Sequence, residues 1–187
     1  STAIEVTALP ELTALNDAVV CAGDTAFGEV AIEGAADLAS YTFVWEGPAV
    51  AEGDSPWEAS TGPLLVPGSV AATVAVTDSL GCESLATLQW EVQALPEISV
   101  QSEWAVCANE GTVELPAAAP DSGVWAGTGV ESGLFNASAA AEGTHTLTYA
   151  VLDEMGCANE AELPTEVVAP IEFDLGPKVH ACENQGL

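Results

Sequence analysis

The chain repeats itself. Leu9-Pro10-Glu11-Leu12 precedes Cys21 by the same distance that Leu95-Pro96-Glu97-Ile98 precedes Cys107. Val74-Ala75-Val76-Thr77-Asp78-Ser79-Leu80-Gly81-Cys82 is matched by Tyr149-Ala150-Val151-Leu152-Asp153-Glu154-Met155-Gly156-Cys157. The joints repeat as well: Ile4-Glu5-Val6-Thr7-Ala8-Leu9-Pro10 corresponds to Trp90-Glu91-Val92-Gln93-Ala94-Leu95-Pro96, with a weaker copy at Glu166-Val167-Val168-Ala169-Pro170. A third opening, Pro170-Ile171-Glu172-Phe173, precedes Cys182 with a one-residue shift. Self-similarity at a fixed order of landmarks marks a repeat architecture, in which each copy is one folding unit. The expected division is residues 1–8 as the last strand of a preceding repeat, 9–94 and 95–168 as whole repeats, and 169–187 as the start of a following one. Such a chain is a window on a longer array.

Within each repeat the apolar residues come in short alternating runs separated by Gly, Pro, Asp and Asn. This is a strand signal. Strands are expected at 29–33, 41–45, 70–77 and 85–92, and again at 112–115, 123–126, 145–152 and 161–168. Val70, Ala72, Val74 and Val76 share one face, as do His145, Leu147, Tyr149 and Val151, which describes half-buried strands of a two-sheet sandwich. Trp45 and Trp125 fall on middle strands and are expected to cover the two cores. Asp78-Ser79-Leu80-Gly81 and Asp153-Glu154-Met155-Gly156 read as hairpin turns, with Asp at the first position and Gly supplying positive φ. Beyond a short turn at 138–142, no segment carries a helical period.

Charge narrows the function. The 187 residues include 29 Asp and Glu against a single basic residue, Lys178, for a formal net charge of -28, yet 49% are hydrophobic. Apolar content at that level supports a folded core rather than disorder. A surface of one sign excludes nucleic acid as a partner, because phosphates need Lys and Arg, and disfavours anionic membranes. No apolar stretch is long enough to span a bilayer, and residues 1–20 lack the basic start and apolar core of a signal peptide.

Catalytic chemistry has little to work with. His145 and His180 are the only histidines; His145 begins a strand and is expected to pack or cap there. No G-x-S-x-G stretch exists, and Gly127-Thr128-Gly129 lacks the helix of a phosphate loop. Short-looped sandwiches offer little cleft for a carboxylate pair. The chain therefore reads as a non-enzyme without a cofactor. Asp24, Asp78 and Asp153 are turn carboxylates suited to calcium, but no D-x-D-x-D-G loop accompanies them, and solvated turns are the simpler reading. Lys178 lies outside both whole repeats, so neither can hold a Lys–Asn isopeptide bond.

The cysteines are spaced 61, 25, 50 and 25 residues apart. With no C-x-x-C pair, a zinc or thioredoxin-type site is disfavoured. The long–short rhythm predicts one bridge per repeat, Cys21–Cys82 and Cys107–Cys157, with Cys182 left without a partner in this chain. Disulfides imply an oxidising, extracellular compartment. Trp57 and Trp104, read as loop or edge residues, are the candidates for glycan contact.

Tyr41-Thr42-Phe43-Val44-Trp45 followed by the 72–82 run resembles PKD-like and Ig-like repeats. The second repeat carries Gly123-Val124-Trp125-Ala126-Gly127-Thr128-Gly129-Val130, then Gly133-Leu134-Phe135-Asn136-Ala137-Ser138-Ala139-Ala140, then Gly143-Thr144-His145-Thr146-Leu147-Thr148-Tyr149. It is similar to Ig-like repeats of very large secreted cell-surface proteins of Bacteroidetes. The resemblance implies an all-β fold of tandem immunoglobulin-like sandwiches in an elongated array. The implied function is an extracellular, cell-surface stalk or fibre segment that holds a distal binding region away from the cell; proteins of that group are often exported by the type IX route. Partners would be neighbouring repeats, and surface glycans or proteins. The alternatives are an adhesion module that itself binds glycans or proteins, and a filament subunit in which residues 1–8 are donated as a strand. Asp24-Thr25-Ala26 and Asp78-Ser79-Leu80 fit the O-glycosylation pattern of that group, making Thr25 and Ser79 candidate sites. Asn136-Ala137-Ser138 is an N-glycosylation sequon.

Overall fold

Alternation of apolar and polar side chains becomes alternation of burial. In the strand Gly68–Thr77, Ala72, Val74 and Val76 are buried and the residues between them are not. In Gly143–Leu152 the buried set is Leu147, Tyr149 and Val151. These are the faces expected from the sequence. The structure, a computed structural model, describes residues 8–171 and Gly176. It divides into two units: one runs up to Glu97 and includes Leu152–Asn159, and the other holds Ile98–Val151 and the residues from Glu160 on.

The first unit contains β1 (Leu12–Asn16), β2 (Val19–Cys21), β3 (Thr25–Ile32), β4 (Thr42–Glu46), β5 (Ala49–Glu52), β6 (Ser55–Pro63), β7 (Gly68–Thr77) and β8 (Glu83–Gln93). One sheet has the order β1-β3-β6-β5 and the other β2-β8-β7-β4. Relabelled in chain order, this is the ABED sheet facing the CFG sheet of an immunoglobulin constant-type sandwich, with β2 added beside the last strand. The β2–β8 pairing is parallel, with Cys21 opposite Gln93. Between the sheets lie Ala26, Val30, Ile32, Ala49, Ala59, Ala72, Val74, Val76, Leu88 and Trp90. Trp45 is only half-buried against this cluster, and its indole N–H donates to the Pro56 carbonyl (2.9 Å). The central tryptophan is instead Trp90, on the last strand. It fits because Gly28 on the opposite sheet has no side chain: a Cβ there would overlap Leu88 Cδ2 and come within 3.3 Å of the Trp90 ring.

The second repeat contains β9 (Trp104–Cys107), β10 (Thr112–Glu114), β11 (Val124–Ala126), β12 (Val130–Glu131), β13 (Leu134–Asn136), the one-turn helix α1 (Ala137–Ala140), β14 (Gly143–Leu152) and β15 (Ala158–Val168); all of it belongs to the second unit except the hairpin at 152–159, which falls in the first. Its sheets run β10-β13-β12 and β11-β14-β15-β9. Among the described residues the order repeats that of the first unit without a strand equivalent to β1, with β9 parallel to β15 as β2 is to β8, and Cys107 opposite Val168. The chain is therefore all-β and its domains are immunoglobulin-like sandwiches. Phe135, Leu147, Leu163, Val106 and Val167 fill the core, and Trp104 and Trp125 cover it.

Gly123 plays the role here that Gly28 plays above. The Tyr149 hydroxyl donates to the Pro120 carbonyl and accepts from the Gly123 N–H (3.0 Å), and a Cβ on Gly123 would overlap that ring. Tyr149 is 3% exposed and packs at 4.9 Å on Trp125, so its rigid ring has no route of escape. Gly123→Ala is expected to cost about 1–3 kcal/mol, the usual range for overpacking, measurable by urea unfolding.

Seven strands go beyond the sequence reading: β1, β2, β5, β6, β9, β12 and β13. Most are short. The long one, β6, contains Pro56 and Gly62, which made it resemble a loop. Residues 1–7, Lys178, His180 and Cys182 lie outside the described residues, so the donated or preceding strand expected at 1–8 is not described apart from Ala8.

Candidate functional site

The hairpin that precedes the last strand has the same geometry in both repeats. Asp78 Oδ1 accepts from the N–H groups of Leu80 (2.9 Å) and Cys82 (2.8 Å). Asp153 Oδ1 accepts from Met155 (2.9 Å) and Cys157 (2.8 Å). The Asp78 N–H donates to the Cys82 carbonyl, and that of Asp153 to the Cys157 carbonyl, each at 3.0 Å. Gly81 and Gly156 close the turns at φ +85 and +88, a conformation that costs other residues strain. Two residues past each cysteine a side chain reaches the carbonyl of the proline that opens the repeat: Ser84 to Pro10 (2.8 Å) and Asn159 to Pro96 (2.9 Å). The carboxylate thus holds each turn cysteine at a fixed place beside the start of its own repeat. Loss of two hydrogen bonds to an ionised carboxylate should make Asp153→Ala cost about 1–3 kcal/mol. Asp153→Asn, which keeps the acceptor, should cost less; thermal unfolding checks both.

The disulfide departs from expectation. Cys21 is bonded to Cys157, across a sequence separation of 136 residues and with Cα atoms 5.5 Å apart. Cys82 and Cys107 are free thiols. The predicted Cys21–Cys82 and Cys107–Cys157 bridges are both absent, for one geometric reason. The parallel pairing places Cys21 beside Gln93, at the end of β8, whereas Cys82 precedes its first residue, Glu83. Eleven residues of strand separate these points by roughly 35 Å, and bridged Cα atoms lie within about 7 Å. The same holds along β15, where Cys107 lies beside Val168 and Cys157 precedes Ala158. Cys21 instead meets Cys157 because Gln93 is three residues from Pro96, whose carbonyl Asn159 holds.

The other expected site residues are scattered. Trp57 lies on β6, half-buried, with its ring 6.4 Å from that of Phe43. Trp104 occupies the edge strand β9, as the sequence reading allowed, but it is half-buried with its ring 5.1 Å from Phe135. Ser79 is exposed at the hairpin tip, and Thr25 is half-buried at the start of β3. In the sequon, Asn136 Oδ1 caps α1 through the Ala139 N–H (3.2 Å), and the Ser138 hydroxyl donates to the Ala108 carbonyl (2.9 Å). His145 Nε2 lies 3.0 Å from the Ala141 carbonyl at the start of β14. Asp78 and Asp153 turn an oxygen toward backbone N–H groups, and among the described residues no three His, Cys, Asp or Glu side chains gather as a metal site. A surface groove of about 650 Å³ lies on the outer side of the β1-β3-β6-β5 sheet. Leu15 and Phe27 form its apolar part, and Asp17, Glu29, Glu52 and Glu58 its acidic rim. Sequence reading passed over this groove: Phe27, 58% exposed, lies in the part of β3 ahead of the strand expected at 29–33.

No family model and no curated protein matches the chain. Among solved structures it is similar to the insect immune protein hemolin, at 14% identity over 87% of this chain and 46% of hemolin, with a TM-score of 0.43. It is also similar to the fibronectin(III)-like modules of Clostridium thermocellum CbhA (13% identity, 91% of this chain and 100% of that one, TM-score 0.38). A third is the Ig1-2 module of the Drosophila receptor protein tyrosine phosphatase DLAR (10%, 86% and 100%, TM-score 0.36). The chain spans less than half of the hemolin chain it matches. At these identities the likeness concerns fold.

Proposed function

We propose that this chain is a segment of an extracellular stalk or fibre built from tandem immunoglobulin-like repeats, a non-enzymatic spacer at the cell surface. The observation that carries the reading is the duplicated hairpin: the same carboxylate staple and the same side-chain bond to the opening proline recur in both repeats. The joint between them is short. Gln93 ends a strand, and after Ala94 and Leu95 comes Pro96, already held by Asn159. A join of this kind leaves no length for a flexible tether. The Cys21–Cys157 bridge supports an oxidising compartment.

The net charge of -28 suits an exposed fibre. Like charges repel over a Debye length of about 8 Å at physiological salt, which favours extension and keeps neighbouring fibres apart. Nucleic acid is not a partner for such a surface; neighbouring repeats are.

Small-angle scattering of the chain tests the reading. A single compact globule of this length has a radius of gyration of about 16 Å. Two sandwiches end to end, each about one long strand in length, give roughly 23 Å. The larger value is expected, and a value near the globular one contradicts a stalk.

A further inference from the structure

The four described cysteines fall into two kinds. Cys21 and Cys107 each end a short strand lying parallel to the last strand of its repeat. Cys82 and Cys157 each sit in the Asp-stapled hairpin, with matching hydrogen bonds. One member of each kind is bonded, Cys21 to Cys157. The remaining two, Cys107 and Cys82, are also one of each kind, and both are thiols. Each is more exposed than its bonded counterpart: Cys157 is fully buried while Cys82 is partly open, and Cys107 is exposed while Cys21 is half-buried.

We propose that Cys107 and Cys82 are the two ends of a staggered disulfide ladder. Cys107 bonds the hairpin cysteine of a repeat of the same kind that follows, and Cys82 bonds the short-strand cysteine of one that precedes. The partner is defined by the bridge already present. A short-strand cysteine lies beside the end of its last strand, that strand runs directly into the next Pro, and the next repeat's own side chain holds that Pro carbonyl two residues from its hairpin cysteine. Val168, opposite Cys107, is followed by Ala169 and Pro170, so the same path starts there. At the other end, Ser84 holds Pro10 as Asn159 holds Pro96. Each bridge forms by exchange with a small-molecule disulfide such as oxidised glutathione. The two protein thiols give up two protons and two electrons, the S–S bond of the oxidant breaks, and two thiols of its reduced form leave. Consecutive repeats are then joined twice, once by the backbone and once by sulfur. This inference rests on the repeat-array reading above.

The test is a tandem chain, residues 1–168 followed directly by residues 8–187. Its junction, Val168-Ala8-Leu9-Pro10, reproduces Gln93-Ala94-Leu95-Pro96. It carries Cys82→Ser in the first copy, Cys107→Ser in the second and Cys182→Ser, leaving one unassigned cysteine of each kind at the junction. It is refolded in a glutathione redox buffer, its thiols are counted, and it is mapped without reduction using a protease that cleaves after glutamate. No free thiol is expected, with peptide 104–110 linked to 59–83 alongside 12–29 linked to 155–160. In the reverse arrangement, which keeps Cys82 in the first copy and Cys107 in the second, two free thiols are expected. Two free thiols in the first arrangement, bridging in both, or absence of the 12–29 to 155–160 link each overturn the ladder. An elongated particle with free junction thiols refutes the ladder and spares the stalk; a compact particle with the bridge formed refutes the stalk alone.

Discussion

Trp90→Ala is expected to destabilise the first unit by about 3–5 kcal/mol, the range for truncating a large buried aromatic. Trp90 is 1% exposed and is the largest fully buried side chain among the described residues. It sits on β8 and reaches across to β3, where its indole N–H donates to the Phe27 carbonyl at 3.2 Å. Alanine removes the packing and also leaves that carbonyl short of a donor. The space is framed by strands of both sheets, so collapse into it would disturb the whole sandwich. Trp45→Ala should cost clearly less, because Trp45 is only half-buried. Urea unfolding of the two variants checks the order; equal losses would show that the core is not centred on Trp90.

Cys157→Ser is expected to cost about 2–5 kcal/mol, the usual cost of losing a native disulfide. The chain-entropy model puts loops of this length near the top of that range, at about 5 kcal/mol, because the bridge spans 136 residues. Cys21→Ser should have the same effect, and the double substitution no more than either alone, since one bond is lost in all three. Cys82→Ser and Cys107→Ser should leave stability nearly unchanged in this chain, as both side chains are free thiols. Denaturant unfolding under non-reducing conditions checks the set. A large loss from Cys82→Ser would restore the pairing within the first repeat.

The sandwich was legible where burial follows a simple period. Val74 and Val76, and likewise Leu147 and Tyr149, announce a strand with one buried face, and the turns announce themselves through Asp78 and Gly81, Asp153 and Gly156. The disulfide was not legible, for a reason of register. The rhythm of cysteine spacings is the same whether a short-strand cysteine bonds its own hairpin or the next one. The distinction lies in β2 and β9, a few residues each, whose parallel pairing sends Cys21 and Cys107 to the far end of the last strand. Nothing in Val19-Val20-Cys21 declares that direction. Core rank was equally hidden. Trp45, Trp90 and Trp125 all lie on strands, and only the glycine at position 28, on another strand of the opposite sheet, makes room for Trp90. Trp57 was misplaced for a local reason, since Pro56 beside it is uncommon inside a sheet.

The direct test of the staggered geometry is a non-reducing peptide map of the unmodified chain after cleavage at glutamate, which places every cysteine on a separate peptide. Peptide 12–29, carrying Cys21, should be found linked to 155–160, carrying Cys157. A link from 12–29 to 59–83, carrying Cys82, would mean that each repeat closes on itself and that no ladder exists.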